Sequence, residues 1–147
     1  MPQLAAIDYA DWRTEKSGDR WRFRLPTDLE WEKAARGQDR RAYVWGNYLI
    51  WNYSWSQRGS YRRVKTPRAV GSTPTDESVY GIRDLAGSAK EHTTSIAVEG
   101  FRFTALRGGD WYTIDEFNWR VATRNGTLPT NGSLDAGIRL AADLEKP

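Results

Sequence analysis

The chain has 147 residues, enough for one domain with a sizeable core, and a net charge of only +3. It contains no cysteine, which excludes disulfides, zinc–thiolate sites and cysteine nucleophiles, and its single histidine, His92, excludes a multi-histidine metal site. No apolar run approaches the roughly 20 residues of a membrane helix, and no signal peptide is visible at the N-terminus, so localisation stays unassigned.

Two helices are predicted near the N-terminus. Apolar side chains recur at approximate helical spacing over residues 4–16. The second helix has a clearer start, because Thr27 followed three residues later by Glu30 forms a capping-box pattern, and Gly37 is suited to end it. Between the helices, residues 21–25 alternate apolar and polar side chains, which predicts a short half-buried strand.

Beyond Gly37 the sequence changes character. It becomes rich in Gly, Ser, Thr, Asn, Pro and aromatic residues, and the best candidate strands are residues 101–106 and 137–141. Helices first and irregular β-structure later predict one α+β domain over residues 1–147. Long loops in a compact domain are usually functional, so we expect ligand recognition in the long C-terminal loop region.

One stretch, residues 40–75, contains no acidic residue and interleaves cations with aromatic rings. Its cations are Arg40, Arg41, Arg58, Arg62, Arg63, Lys65 and Arg68. This pattern is typical of proteins that bind single-stranded nucleic acid, since bases stack on rings and phosphates pair with cations. A well-packed loop gives the same pattern when its rings fill the core and its arginines face water. We favour the packed loop because tryptophan-rich domains usually bury their rings, and a nucleic-acid partner is the alternative.

The segment 24–37, RLPTDLEWEKAARG, closely resembles the signature RLPTEAEWEKAARG of the formylglycine-generating enzyme (sulfatase-modifying factor) family. Further segments resemble that family's motifs in the family's order, at residues 43–47, 70–72, 80–87, 106–111, 120–122 and 137–139. The resemblance covers nearly the whole chain and implies a C-type-lectin-like fold. It also implies that the N-terminal part of the family domain is missing or shortened here.

The chain departs from the family where that family's chemistry resides. The resemblance implies copper-binding cysteines between the motifs at 106–111 and 120–122, and residues 112–119 offer no thiolate, the soft ligand that copper needs. Related iron enzymes of this fold use several histidines, and this chain has one. We therefore expect no catalytic residues and no enzymatic activity. A cysteine-less paralogue that binds peptide in the old substrate cleft is one interpretation of such a chain.

A second interpretation comes from a non-catalytic branch of this fold, the variable proteins of diversity-generating retroelements, which the chain resembles most. In that branch the C-terminal region is diversified at adenines, giving residues encoded by NNY codons. Between residues 112 and 136 only Glu116 and Trp119 fall outside that set. We expect a monomeric ligand-binding protein whose hypervariable face contacts a macromolecule, most simply a protein. A phage or viral origin is compatible with this branch.

We call the predicted ligand-contacting residues the recognition face. Aromatic, small polar and apolar residues are mixed there, as in a paratope. The predicted members are Asp110, Tyr112, Thr113, Ile114, Asn118, Thr123, Gly126, Thr127, Leu128, Thr130, Ser133, Leu134 and Asp135.

Several single residues carry expectations of their own. Trp31, Trp45 and Trp111 are expected as core anchors, and His92, which stands where the family has a tryptophan, is expected to pack or hydrogen-bond internally. The glycine pair 108–109 predicts a close approach to other backbone.

The acidic residues leave alternatives open. Asp110, Asp115 and Glu116 are the types used in acid–base catalysis, but without a positioned partner we expect exposed loop residues. The resemblance aligns Glu91 with a family glutamate that helps to hold calcium, with Ser88 nearby. Calcium wants six to eight oxygens, and a salt-bridge or capping role for Glu91 is the other interpretation.

Overall fold

The computed structural model describes residues 1–18, 20–58 and 66–144. Helix α1 (Gln3–Glu15) is followed by strand β1 (Trp21–Arg24) and helix α2 (Asp28–Arg36). Short 3₁₀ turns lie at Trp51–Tyr53 and Glu116–Trp119. The remaining strands are β2 (Lys90–Ile96), β3 (Thr104–Arg107), β4 (Arg124–Thr127), β5 (Ala136–Gly137) and β6 (Ala141–Leu144). The expected α+β fold, with two early helices and a short irregular sheet, is confirmed.

Helix α2 begins and ends as its sequence predicts. The Thr27 hydroxyl accepts a hydrogen bond from the Glu30 amide, and the Glu30 carboxylate accepts one from the Thr27 amide at 2.8 Å, which completes the capping box. Gly37, with φ of 74°, ends the helix in a conformation that favours glycine. The helix buries Trp31, only 2% exposed, and Ala35 in the central core cluster.

Helix α1 lies one residue earlier than predicted and buries small side chains. Ala6 and Ala10 face the interior, together with Gln3, whose side-chain amide donates to the Thr93 carbonyl at 2.5 Å. At the end of the helix, the Thr14 hydroxyl accepts a hydrogen bond from the Phe23 amide at 2.8 Å. This bond attaches the helix to β1, which pairs antiparallel with β6.

The main sheet has four strands in the order β4-β3-β2-β5, antiparallel except for the β2–β5 pair. The predicted strand 137–141 is wrong as a single strand. Its first residue ends β5, which pairs with β2, and its last begins β6, which pairs with β1, so the chain passes between two sheets here. The predicted strand 101–106 begins later, at Thr104, because the Ala97 amide bonds the Phe103 carbonyl and closes a loop.

The glycines that follow β3 allow two backbones to meet. A Cβ on Gly108, whose φ is 78°, would lie 2.6 Å from the Leu85 carbonyl oxygen. A Cβ on Gly109 would collide with the Ala86 carbonyl oxygen. The close approach predicted from the glycine pair is therefore confirmed, and it places the chain after β3 directly against the loop before β2.

The three tryptophans expected as core anchors differ in burial. Trp31 is fully buried, whereas Trp45 and Trp111 are only half-buried, and a fourth tryptophan, Trp119, is fully buried as well. Trp31 is a member of the core cluster and Trp45 packs against that cluster from outside, so both have the predicted anchor role, whereas Trp111 is half-buried and is not part of the cluster. Within the described ranges, no helix combines the length and apolar character of a membrane crossing.

Candidate ligand-recognition face

Asp110 fixes the start of the recognition face from inside the protein. It is 2% exposed, and its carboxylate accepts hydrogen bonds from the Tyr112 amide and the Thr113 hydroxyl, both at 2.7 Å. Lys90 donates to the same carboxylate at 2.5 Å. The expectation of an exposed loop residue is wrong for Asp110, because a turn stabilised by its side chain needs that side chain beneath the loop. Thr113 is buried with it.

Lys90 joins both ends of the face. Its ammonium also lies 3.2 Å from the Asp135 carboxylate, and its backbone amide donates to the Asp135 carbonyl at 2.8 Å. Burial alone would lower the pKa of Lys90, but the hydrogen bonds and charges of Asp110 and Asp135 together outweigh that effect and raise the pKa above its usual value. Residues 110 and 135, far apart in sequence, are thereby held by one side chain from β2.

The outer part of the face projects into solvent. Tyr112 is 63% exposed and Leu134 is 91% exposed. The other predicted members with exposed positions are Ile114, Gly126, Leu128, Thr130 and Ser133. The exposed set mixes an aromatic, several aliphatic and several small polar residues, so it offers contact area together with hydrogen-bonding groups.

The remaining predicted members are half-buried and support the outer ones. The Asn118 side chain accepts a hydrogen bond from the Asn125 side chain at 3.2 Å, and the Thr123 hydroxyl donates to the Phe117 carbonyl. The Thr127 carbonyl accepts a hydrogen bond from the Thr104 hydroxyl at 3.2 Å. These contacts hold the loop before β4 together, join it to β4, and join β4 to β3.

A depression beside Ile114 was missed by sequence reasoning. It has a volume of about 520 Å³ and is lined by Trp51, Gln57, Arg58 and Ile114. The Arg58 guanidinium carbon lies 4.7 Å from the centre of the Trp51 ring, and its Nη1 donates to the Ile114 carbonyl at 3.2 Å. The signal that could have found it is the interleaving of cations and rings in residues 40–75, which we assigned to packing or to nucleic acid.

Most described rings of the stretch 40–75 pack against other protein groups, whereas Tyr48 is 82% exposed. Tyr43 is buried and stacks on Trp45 at 5.7 Å, and the Trp51 ring contacts the buried Trp119 ring edge-on at 4.6 Å. Arg68 lies over the Trp55 ring at 4.3 Å. This supports the packed-loop interpretation. Arg62, Arg63 and Lys65, which the nucleic-acid alternative also uses, lie outside the described residues.

Glu91 forms an internal ion pair. Its carboxylate accepts hydrogen bonds from the Trp31 indole at 2.6 Å and from Arg139 at 2.7 and 2.9 Å. The salt-bridge interpretation of Glu91 is confirmed. In the described ranges, no group of three acidic or histidine side chains could hold a metal ion. One carboxylate already shared with a guanidinium falls short of the oxygens that calcium requires. Calcium binding at Glu91 is therefore left as an alternative for the experiment described in the Discussion.

His92 has the internal role that was predicted. Its ring is fully buried, and Nε2 lies 2.9 Å from the Met1 carbonyl oxygen. Burial lowers the pKa of His92, which favours the neutral ring. A neutral ring in contact with the N-terminus is not positioned to act as a base at the recognition face.

The sequence model of the sulfatase-modifying factor enzyme 1-like domain matches residues 3–144. The chain belongs to this family. It is 32% identical over 156 residues to the inactive C-alpha-formylglycine-generating enzyme 2 of Bos taurus, an alignment that covers 96% of the chain and 51% of the relative. It is 31% identical to the hercynine oxygenase of Mycobacterium tuberculosis, over 82% of the chain and 32% of the relative. This family member thus spans about half, or less, of the length of these curated relatives.

Solved structures show the same fold. PvdO from Pseudomonas aeruginosa superposes with a TM-score of 0.80 at 21% identity, over 98% of this family member and 60% of that protein. Treponema denticola variable protein 1 superposes with a TM-score of 0.68 at 28% identity, over 84% of this chain and 48% of that one. The resemblance to the family and to a variable protein of its fold is confirmed.

Proposed function

We propose that the chain is a non-catalytic ligand-binding protein with a hypervariable recognition face, similar to the variable proteins of diversity-generating retroelements. The observation that carries the proposal is the division of residues 110–135 into two sets. One set projects into solvent, and the other, which includes Asp110, holds the backbone from below through Lys90. The likeness to the Treponema variable protein supports the same conclusion.

This division is what a diversified surface requires. Tyr112 and Leu134 are largely exposed, so changing them removes few internal contacts, and surface changes of this kind usually alter the free energy of unfolding by less than about 0.5 kcal/mol. The conformation of the backbone depends instead on the Asp110–Lys90–Asp135 ion pairs. Side chains at the surface are therefore free to vary while the positions from which they project stay constant.

The chain's own residues support a non-catalytic role. The sequence contains no thiol, and its one histidine is buried against Met1. Two relatives, from Bos taurus and Mus musculus, are named inactive formylglycine-generating enzymes. We expect no oxidation of a cysteine-containing sulfatase peptide above a no-protein control, with or without copper. Turnover to formylglycine in that assay contradicts the proposal.

The relation to inactive paralogues also favours a second candidate, a cysteine-less paralogue that binds peptide in the family's substrate cleft. The coding DNA separates the two candidates. A near-copy of the 3′ end that differs only at adenines, beside a reverse transcriptase gene, supports the diversified face. Its absence supports the paralogue.

A protein experiment tests the face directly. We would replace six exposed members of the face at once, each by a different residue of the NNY set. These positions are Tyr112, Ile114, Leu128, Thr130, Ser133 and Leu134. The multiple variant should fold and melt close to the parent, because these side chains are exposed. The matched control replaces Asp110 and Thr113, the buried members, and should be clearly destabilised. Loss of folding in the exposed set alone contradicts the proposal.

The single-stranded nucleic acid alternative has its own assay. We expect weak binding of single-stranded DNA at physiological salt, because Tyr43, Trp45 and Trp51 are packed against other rings of the protein. Submicromolar binding that is lost on changing Arg62 and Arg63 to Ala replaces the proposed function with that alternative.

A further inference from the structure

Strand β4 (Arg124–Thr127) lies at the edge of the main sheet and inside the recognition face. The strand order β4-β3-β2-β5 leaves its outer side without a neighbouring strand among the described residues. An edge strand presents a row of backbone N–H and C=O groups that can pair with another chain. Arg124 and Gly126 have exposed positions in this strand, and Gly126 carries no side chain that could cover the edge.

The hydrogen bonds of β3 show which backbone groups of β4 face outward. Just before β3, the Phe103 carbonyl accepts a hydrogen bond from the Ala97 amide, and within β3 the Ala105 carbonyl accepts one from the Thr93 hydroxyl. The backbone groups of these alternate residues are therefore directed toward β2. Thr104 and Leu106 therefore point their backbone groups toward β4, where they are paired with Thr127 and Asn125.

The intervening residues of β4 must then point the other way. Because backbone groups alternate along a strand, the amides and carbonyls of Arg124 and Gly126 are directed away from β3. The hydrogen bond from the Thr104 hydroxyl to the Thr127 carbonyl agrees with this assignment. Two N–H donors and two C=O acceptors thus face outward along one short edge.

Exposed apolar side chains lie before and after β4 in the chain. Phe117 is exposed before β4, and its carbonyl accepts a hydrogen bond from Thr123. Leu128 is partly exposed directly after the strand, and the Phe103 side chain lies close to Gly126. A chain lying along β4 would find backbone hydrogen bonds in its centre and apolar contacts beside them.

We propose that the ligand of the recognition face is an extended peptide segment of a partner protein, which adds to the main sheet as a strand beside β4. The inference rests on the proposed function and names its ligand class and binding geometry. Main-chain hydrogen bonds give affinity without regard to side chains, and side chains at alternate positions give specificity. The backbone of β4 therefore stays useful whatever side chains the surrounding face carries.

The test compares Gly126→Pro with Gly126→Ala. Proline removes the outward N–H of residue 126 and leaves the bonds of Asn125 and Thr127 to β3 in place, which edge strands tolerate. Alanine keeps the N–H, and its Cβ would meet Ala97 and Phe103 at 3.4 Å, so it is the matched control. The probe is a linear peptide selected from a displayed peptide library against the parent protein, beside a parallel library of folded domains.

We expect Gly126→Pro to weaken binding of the selected peptide by about fivefold to tenfold, and Gly126→Ala to change it less than twofold or so. N-methylation of the peptide at alternate residues should abolish binding, and methylation at the intervening residues should not. This period-two pattern is the signature of an added strand and needs no variant of the protein, so it decides the case even if Gly126→Pro does not fold.

Other outcomes overturn the inference. If folded domains are enriched and linear peptides are not, or if binding depends on Tyr112 and Leu134 but not on methylation pattern, the proposed function stands and the added strand does not. If the parent protein dimerises as its concentration is raised, and Gly126→Pro prevents this while Gly126→Ala does not, the edge is occupied by a second copy of the chain. If neither library yields a binder, both the inference and the proposed function fail.

Discussion

Changing Lys90 to Met tests whether the recognition face is held from below. The Lys90 ammonium lies 2.5 Å from Asp110, and the two side chains are 15% and 3% exposed. Removing the cation leaves a buried carboxylate without its counter-ion, and removing one partner of a buried ion pair lowers the free energy of unfolding by about 3–5 kcal/mol. The hydrogen bonds from Tyr112 and Thr113 to Asp110 remain, so we expect a loss of about 3 kcal/mol in the free energy of unfolding.

The assay is equilibrium unfolding in urea, with limited proteolysis between residues 110 and 135 as a second measurement. Lys33→Met is the control, because Lys33 is an exposed lysine of α2 and its loss should cost no more than about 0.5 kcal/mol. The double change Lys90→Met with Asp110→Asn should recover part of the loss, since the uncompensated charge is then gone. A Lys90→Met protein as stable and as protease-resistant as the control refutes the reasoning.

Three further predictions concern the scaffold. Trp31→Ala should cost about 3–5 kcal/mol, measured by unfolding, because it empties a buried site and removes the indole bond to Glu91; an unchanged melting temperature would show that the core lies elsewhere. The hydrogen bond from Arg24 and, to a smaller extent, the hydrogen bond from the Thr27 amide lower the pKa of Glu30 from 4.5 to about 2. The ionised Glu30 therefore stabilises the folded protein fully above pH 4.5, and this contribution is lost as the pH falls toward 2. Since Glu30 is partly exposed, we expect this loss to be only about 1 kcal/mol, and Glu30→Gln should remove that part of the acid-side slope. Calcium should leave the melting temperature unchanged relative to EDTA, because Arg139 already neutralises Glu91; a rise that Glu91→Gln abolishes establishes the calcium site instead.

The sequence by itself determined the features that depend on neighbouring residues. The capping box of Thr27 and Glu30 and the stop at Gly37 are local patterns, and the structure reproduces them because a helix terminus is stabilised by residues within one turn. The absence of cysteine was likewise fixed by the sequence, and ordered motifs along the chain were enough to indicate the family and its α+β fold.

Only the tertiary structure decided which residues of the C-terminal segment project outward. The sequence predicts a surface loop position for Asp110 and no role for Lys90, which joins it to Asp135, because partners 20 and 45 positions away leave no local pattern. The split of residues 137–141 between two sheets and the pairing of Arg58 with Trp51 beside Ile114 arise in the same way. Burial and ion pairing are set by contacts between distant segments, and those contacts exist only after the chain has folded.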